Sequence, residues 1–166
     1  AVGLSEFSGV GRRFSDLGDV MWSSGSARLI DDYGHHPTEL AVTLKAVHDA
    51  FAGRRLVMVY QPHRYTRTRD HFDDFVSVLS EGQQLILLDV YSAGEPCIEG
   101  ADSTSLANAI RTGGVIDPIV VSDQARLATT LIEVLQDQDV LLMQGAGDIG
   151  RLAATLAQTD RLEVLS

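Results

Sequence analysis

Two short polar runs hold most of the side chains in this chain that could do chemistry. Residues 31–37 read Asp-Asp-Tyr-Gly-His-His-Pro, and residues 61–67 read Gln-Pro-His-Arg-Tyr-Thr-Arg. Together they offer carboxylates, phenols, imidazoles and fixed cations, a mixture that suits an anionic substrate with a phosphate or carboxylate. Each run follows an apolar strand pattern, and open α/β sheets bind ligands outside the carboxyl ends of their strands. The two runs therefore predict a ligand site.

The elements that must position these runs alternate between strand and helix patterns, which is typical of βαβ units. Predicted strands cover residues 27–30, 56–60, 85–90, 119–121 and 140–143. Predicted helices begin at Pro37, cover 72–79, 103–111 and 123–136, and include 149–156. The second of these helices is expected to carry Asp70 and Asp73 in its first turn.

The N-terminal part of the chain has a different pattern. Residues 1–26 predict an antiparallel strand or hairpin at the sheet edge, with residues 1–10 as an interdomain linker and 11–166 as the domain. The predicted fold class is α/β: a Rossmann-like three-layer open sheet of mostly parallel strands, with helices on both faces and an antiparallel edge strand near the N-terminus. The chain does not begin with Met, which suggests a piece of a longer protein.

Composition narrows the class of function. Thirteen Lys and Arg against 23 Asp and Glu give a net charge of −10, which argues against a nucleic-acid or anionic-membrane binder. A local basic island, Arg54–Arg69, holds five arginines and indicates either a small-anion site or a solvated arginine face. One cysteine, no leader pattern and no apolar stretch of the roughly 18 residues that span a bilayer favour the cytoplasm.

A glycine-rich run at residues 145–150, Gly-Ala-Gly-Asp-Ile-Gly, fits the dinucleotide-binding fingerprint. That fingerprint belongs in a first βαβ unit, and only 16 residues follow Gly150, too few for the rest of such a domain. Two interpretations stay open. The run could present backbone N–H groups at a helix N-terminus to a substrate carboxylate, or it could be a tight turn without a ligand.

Four motifs together resemble the Mur ligase family. They are Gly-Arg-Arg-Phe at 11–14, the runs at 31–39 and 61–69, and Gln-Gly-Ala-Gly-Asp-Ile-Gly at 144–150. The Pro-His-Arg-Tyr-Thr-Arg run at 62–67 resembles the L-alanine-adding members more narrowly. The Asp-Asn-Pro-Arg motif of the diaminopimelate-adding members is absent, and the murein-peptide ligases are expected to have Pro-Arg-Ser-Asn where residues 62–65 stand here.

The resemblance implies an ATP- and Mg²⁺-dependent amide ligase of peptidoglycan synthesis. ATP would phosphorylate the lactyl carboxylate of UDP-N-acetylmuramate, and the L-alanine amine would attack the acyl phosphate. The family has a UDP-sugar domain, a central ATPase and a closing domain. Because this chain has no Gly-x-x-x-x-Gly-Lys-Ser/Thr loop, we expect the closing domain alone, inactive without the other two domains and binding no cofactor stably.

The resemblance also implies roles for individual residues. Arg13 would reach the ATP phosphates, and Asp32 would bind the ribose hydroxyls, with Asp31 as its competitor. Tyr33, with His35 and His63 as the catalytic candidates, would surround the reacting carboxylate.

Arg64 and Arg67 would fork onto the carboxylate of the amino acid, a geometry that lysine cannot reproduce. His36 is expected to cap a helix, and His48 and His71 to lie on helix surfaces. No metal ligand is expected in this chain. The alternatives are a stand-alone Rossmann-like nucleotide-binding domain, or an interaction module that docks through Arg54–Arg69.

Overall fold

The computed structural model describes residues 12–163 and shows an open six-stranded sheet with the order β1-β2-β6-β3-β4-β5. Only β1 and β2 pair antiparallel, and the other neighbours are parallel. The predicted α/β fold class is therefore confirmed. The strands are β1 Ser15–Trp22, β2 Gly25–Asp32, β3 Leu56–Tyr60, β4 Gln84–Leu88, β5 Ile119–Val121 and β6 Asp139–Gln144.

Helices connect the parallel strands. They are α1 Pro37–Ala50, α2 Tyr65–Asp70, α3 Phe72–Leu79, α4 Ser103–Gly113, α5 Leu127–Val134 after a 3₁₀ turn at Gln124–Arg126, and α6 Ile149–Ala157. One prediction was wrong in detail: Asp70 ends α2 and does not begin the next helix, because His71 leaves helical geometry with φ −121°. The first turn of α3 holds Asp73 and Asp74 instead.

The sheet separates two apolar cores. Helices α1, α3 and α4 pack on one face, whereas α5 and α6 pack on the other. Successive side chains of β3 alternate between the two cores, so Val57 and Val59 join one while Met58 and Tyr60 join the other. This double burial explains why β3 reads as an unbroken apolar run.

The N-terminal hairpin is confirmed as well. Strand β1 pairs with β2 from Ser15↔Asp31 to Trp22↔Gly25, and a bulge lies between Asp16 and Gly18. The hairpin forms one edge of the sheet. The linker predicted at residues 1–10 lies outside the described residues, so it stays a prediction.

The strand register decides where the polar runs meet. The last residues of β2, β6 and β3 are level, since Asp32 and Tyr60 both pair with Gln144 of the strand between them. Helix α6 leaves β6 toward one face, and α1 and α3 lie on the opposite face. Neighbouring loops that diverge in this way open a crevice at the carboxyl edge of the sheet.

Candidate functional site

The crevice is bounded by the loops that follow β2, β3, β4 and β6. The loop after β4 was not predicted to take part, yet the backbone of Tyr91 pairs with the run at 61–67 like a further piece of strand. Tyr91 N–H donates to Pro62 O at 2.8 Å, and Arg64 N–H donates to Tyr91 O at 2.8 Å. This pairing brings the Tyr91 ring beside the predicted site residues.

An imidazole pair lies in the crevice. The rings of His35 and His63 are 5.7 Å apart, although the two residues follow different strands. His63 stacks on Tyr91 at 5.5 Å with an interplanar angle of 11°, and its Nδ1 lies 3.0 Å from Nη1 of Arg67. Burial lowers the pKa of His63, and the positive charges of Arg67 and Arg64 lower it further.

Arg64 has a strained backbone. Its φ is +72°, a left-handed value that a non-glycine residue seldom adopts, and strain of this kind collects at functional sites. Its side chain is 50% exposed and lies 3.9 Å from the Glu95 carboxylate. Thr66 fixes that carboxylate through its backbone N–H at 3.0 Å and its hydroxyl at 2.7 Å, and these bonds lower the pKa of Glu95.

Arg67 is held more firmly than Arg64. Its Nη1 donates both to the carbonyl oxygen of His63, at 2.9 Å, and toward the imidazole of the same residue. The structure thus places both arginines at the start of α2. Arg64 is free to meet a ligand, whereas Arg67 already orients an imidazole.

The run after β2 presents Tyr33 and His35 to solvent. The Tyr33 ring is 44% exposed and meets His35 edge-on at 5.4 Å. Glu39 accepts the backbone N–H groups of His35 and His36, and it keeps a pKa below its usual value although burial acts to raise it. His36 accepts from Thr38 N–H as the N-cap of α1, so the predicted capping role is confirmed.

Asp32 is buried and accepts four hydrogen bonds from the chain itself. The donors are Phe14 N at 2.8 Å, Gly34 N at 2.8 Å, Thr43 Oγ1 at 3.2 Å and Gln144 Nε2 at 2.9 Å. Three of these donors contact Oδ1 and only Phe14 N–H contacts Oδ2, so Oδ2 keeps one acceptor position. The carboxylate joins β2, β6, α1 and the segment before β1, and its predicted contact with a ribose stays a prediction.

Its neighbour Asp31 forms a buried ion pair that the sequence did not predict. Arg12 forks onto it with Nε–Oδ2 at 2.7 Å and Nη2–Oδ1 at 2.9 Å, and Nη2 also donates to Gly145 O. The same guanidinium lies 5.7 Å from the Tyr33 ring centre. In the sequence Arg12 and Arg13 are adjacent, and local pattern cannot tell which of them pairs with a carboxylate. In the structure Arg12 is held in the ion pair with Asp31, and Arg13 is exposed.

A cavity of about 330 Å³ lies beside the crevice. Its walls are mostly apolar, with Phe14, Val42 and Ala46 among them, and Arg13 and Asp32 also line it. The cavity therefore combines apolar walls with an exposed guanidinium and the edge of a buried carboxylate.

The glycine-rich run packs against the chain's own side chains. A Cβ at Gly147 would meet Gln61 Oε1 at 2.4 Å, and a Cβ at Gly150 would meet the Arg12 guanidinium. Gln61 Oε1 accepts Ile149 N–H at the start of α6, and Gln61 Nε2 donates to Asp148 at 2.7 Å. The Gln61 amide thus already accepts a backbone N–H group at this helix N-terminus and holds the Asp148 carboxylate beside it, which favours the tight-turn interpretation over an anion site.

The basic island divides between two ends of the sheet. Arg55 forks onto buried Asp139 with contacts of 3.0 and 2.6 Å at the amino end of β3, and Arg54 donates to Gln138 O and Asp139 O nearby. Arg64 and Arg67 lie at the carboxyl end. The interpretation of Arg54–Arg69 as one anion site or one docking face is wrong, because strand β3 separates its members.

Two matched ion pairs yield a first prediction. Arg12→Met and Arg55→Met should each lower the free energy of unfolding by about 2 kcal/mol, since each leaves a buried carboxylate unpaired while the arginine itself is partly exposed. Urea unfolding measures this loss. Only Arg12→Met should shift the backbone amide resonances of Tyr33 and Gly145. Equal shifts there in Arg55→Met would contradict the proposed link between Arg12 and the crevice.

Two structural findings limit the chemistry of residues 12–163. Within this range no group of three or more His, Cys, Asp or Glu side chains is arranged to hold a metal ion. No helix in the same range is long and apolar enough to cross a membrane.

Fold and crevice define a Rossmann-like α/β domain with histidines and arginines gathered at the carboxyl edge of its sheet. The family model described as "Mur ligase, glutamate ligase domain", named for the C-terminal domain of these enzymes, matches residues 12–147. The chain belongs to the Mur ligase family, whose members are ATP-dependent ligases.

Solved structures share the fold at low sequence identity. The UDP-N-acetylmuramate–alanine ligase of Thermotoga maritima matches with a TM-score of 0.62 and 21% identity, over 89% of this chain and 29% of that one. A murein peptide ligase of Psychrobacter arcticus matches with 0.67 and 19%, over 98% and 32%. A folylpolyglutamate synthase of Thermotoga maritima matches with 0.59 and 16%, over 91% and 31%. The chain thus spans about three-tenths of the length of these larger proteins.

Proposed function

We propose that this chain is the C-terminal, amino-acid-binding domain of a UDP-N-acetylmuramate–L-alanine ligase. The observation that carries the proposal is the convergence of residues 33–35 with residues 63–67. These segments follow different strands, yet the rings of His35 and His63 lie 5.7 Å apart beside Arg67. The proposed reaction needs cations and hydrogen-bond donors where negative charge develops on the reacting carboxylate and phosphate.

Each predicted residue has a place in this proposal. Arg64, half exposed and free of a tight partner, would meet the L-alanine carboxylate. His35 and His63 would donate to the acyl group, and Tyr33 would lie beside the same substrate. We assign the cavity that Arg13 and Asp32 line to the nucleoside side of ATP. Bound Mg²⁺ would neutralise phosphate charge, held by other domains and by ATP.

The alternative is a stand-alone nucleotide-binding or interaction domain. It has less support, because the glycine-rich run is filled by Gln61, Tyr91 and Arg12, and because the basic island is divided by β3. We also propose a cytoplasmic setting, which agrees with a single cysteine that is exposed and unpaired.

An ADP-release assay tests the proposal. The full-length parent would be supplied with Mg-ATP, UDP-N-acetylmuramate and one amino acid at a time, with this 166-residue chain assayed in parallel. We expect turnover that needs both the sugar nucleotide and L-alanine, and none from the 166-residue chain. The tripeptide L-alanyl-γ-D-glutamyl-meso-diaminopimelate is the matched competitor, and turnover with it instead would identify a murein-peptide ligase. Turnover that is indifferent to the acceptor would contradict the proposal.

A further inference from the structure

The contacts of His63 determine which ring nitrogen bears a proton. Arg67 is a permanent donor, since a guanidinium has no acceptor and does not lose its proton in proteins. Its Nη1 lies 3.0 Å from Nδ1 of His63, so Nδ1 must accept and cannot bear a hydrogen. A neutral imidazole then has its proton on Nε2. Among residues 12–163 no hydrogen bond to His63 Nε2 is found.

The surroundings of His63 oppose a second proton. The charged groups that face it are Arg67 on α2, Arg64 before α2, His35 from the loop after β2 and Glu95 from the loop after β4. Burial is the largest influence on the pKa of His63 and lowers it, and the positive charges of Arg67 and Arg64 and any proton on His35 lower it further, whereas Glu95 raises it.

Tyr91 provides part of that burial. Its ring lies nearly parallel to the imidazole, at 11°, and covers one face of it. The backbone of Tyr91 is held in place by hydrogen bonds to Pro62 O and from Arg64 N. A Cβ at Gly147 would lie 2.7 Å from Cβ and Cγ of Tyr91, so the glycine-rich run packs against the base of the ring, while the residue as a whole is 40% exposed.

We propose that Tyr91 is a positioning residue that, together with Arg67, holds His63 as a neutral imidazole with its proton on Nε2. His63 then acts as a hydrogen-bond donor to an oxygen of the bound ligand, and it is not a general base. The state of the ring follows from this chain alone. The donor role rests on the proposed ligase function, so the two parts can fail separately.

Imidazole nitrogen spectra of the 166-residue chain test the state of the ring. We expect the two-bond ¹H–¹⁵N correlation pattern of the Nε2–H form for His63 at pH 7. Its titration midpoint should lie below 6.5, the ordinary value for a histidine side chain. An Nδ1–H pattern, or a His63 midpoint at or above that value, would overturn the proposal without any variant.

Variants distinguish the effect of Tyr91 on the His63 imidazole from the effect of Arg67. Tyr91→Ala exposes the imidazole to water, so the His63 midpoint should shift upward, and Tyr91→Phe should restore it because the Tyr91 hydroxyl makes no hydrogen bond within the described part of the chain. Arg67→Ala should shift the midpoint upward and also give a mixture of the two ring forms. An unchanged His63 spectrum in Tyr91→Ala would remove the positioning role of Tyr91.

The same linkage predicts how stability depends on pH. The folded chain resists protonation of His63 whereas the unfolded chain takes up a proton near the ordinary value of 6.5, so this residue destabilises the fold as the pH falls below that value. The free energy of unfolding of the wild type minus that of His63→Gln should therefore decrease as the pH is lowered from 7 to 5.

In the full-length ligase, Tyr91→Ala should lower kcat about tenfold with little change in KM for ATP, and Tyr91→Phe should recover kcat. If His63 has the Nε2–H form in the wild type and Tyr91→Ala perturbs it, an unchanged kcat would overturn the donor role only.

Discussion

Asp32→Ala is expected to lower the free energy of unfolding by about 4 kcal/mol, because it removes the shared acceptor of four donors at once. Each buried donor left without a partner costs about 1–3 kcal/mol, and the four losses overlap because the groups are neighbours. Equilibrium urea unfolding measures the change. An equal slope m for the variant and the wild type would show that both expose a similar surface on unfolding.

Two further variants make the measurement specific. Asp32→Asn keeps one oxygen but turns an N–H₂ group toward donors, so its loss should be intermediate. Asp70→Ala removes an exposed carboxylate whose one ion-pair partner in the described part of the chain is Arg69, and it should change stability by less than about 0.5 kcal/mol. A loss below about 1 kcal/mol for Asp32→Ala would show that the four contacts do not stabilise the fold. Weaker ATP binding in an Asp32 variant indicates ribose contact only where the variant remains folded.

Arg67→Ala in the full-length ligase is expected to lower kcat about 100-fold, a typical loss for one preorganised donor near developing negative charge. The change removes a cation from the crevice and also releases His63, which loses its hydrogen bond at Nδ1. Steady-state ADP release at saturating substrates measures it. This prediction rests on the proposed ligase activity.

The control lies on the same short helix. Arg69 is two residues further along α2, is exposed and, within residues 12–163, pairs only with Asp70, so Arg69→Ala should stay within about twofold of the wild type. Arg67→Lys keeps the charge but cannot donate both to the imidazole and to the carbonyl oxygen of His63 in the same planar fork, so it should recover only part of the rate. Full recovery with lysine would mean that charge alone matters.

The local pattern of this sequence was enough to predict its layers. Short apolar runs gave strands at 56–60 and 119–121 with the observed bounds, and helical spacing from Pro37 gave α1. Residues that lie close in sequence carry this information, because strand and helix periods repeat within a few positions. The approximate place of the candidate site followed as well, since polar runs after parallel strands must come to one edge of the sheet.

The partners inside that site were decided by the tertiary structure. Gln144 reaches Asp32 across 112 positions and Arg55 reaches Asp139 across 84, and no periodic pattern links residues so far apart. The order of the strands brings β6 between β2 and β3, and this placement supplies Gln144 as one of the four donors to Asp32.

The sequence by itself therefore determined the fold class, the edge hairpin and the side-chain types available for chemistry. The tertiary structure decided which of those side chains are engaged: Arg12 with Asp31, Tyr91 with His63, and Arg54 and Arg55 away from the crevice. The physical reason is the range of the interactions. Burial patterns repeat locally along the chain, whereas a hydrogen bond or a ring stack depends on distances of a few ångströms that only the packed sheet and its loops establish.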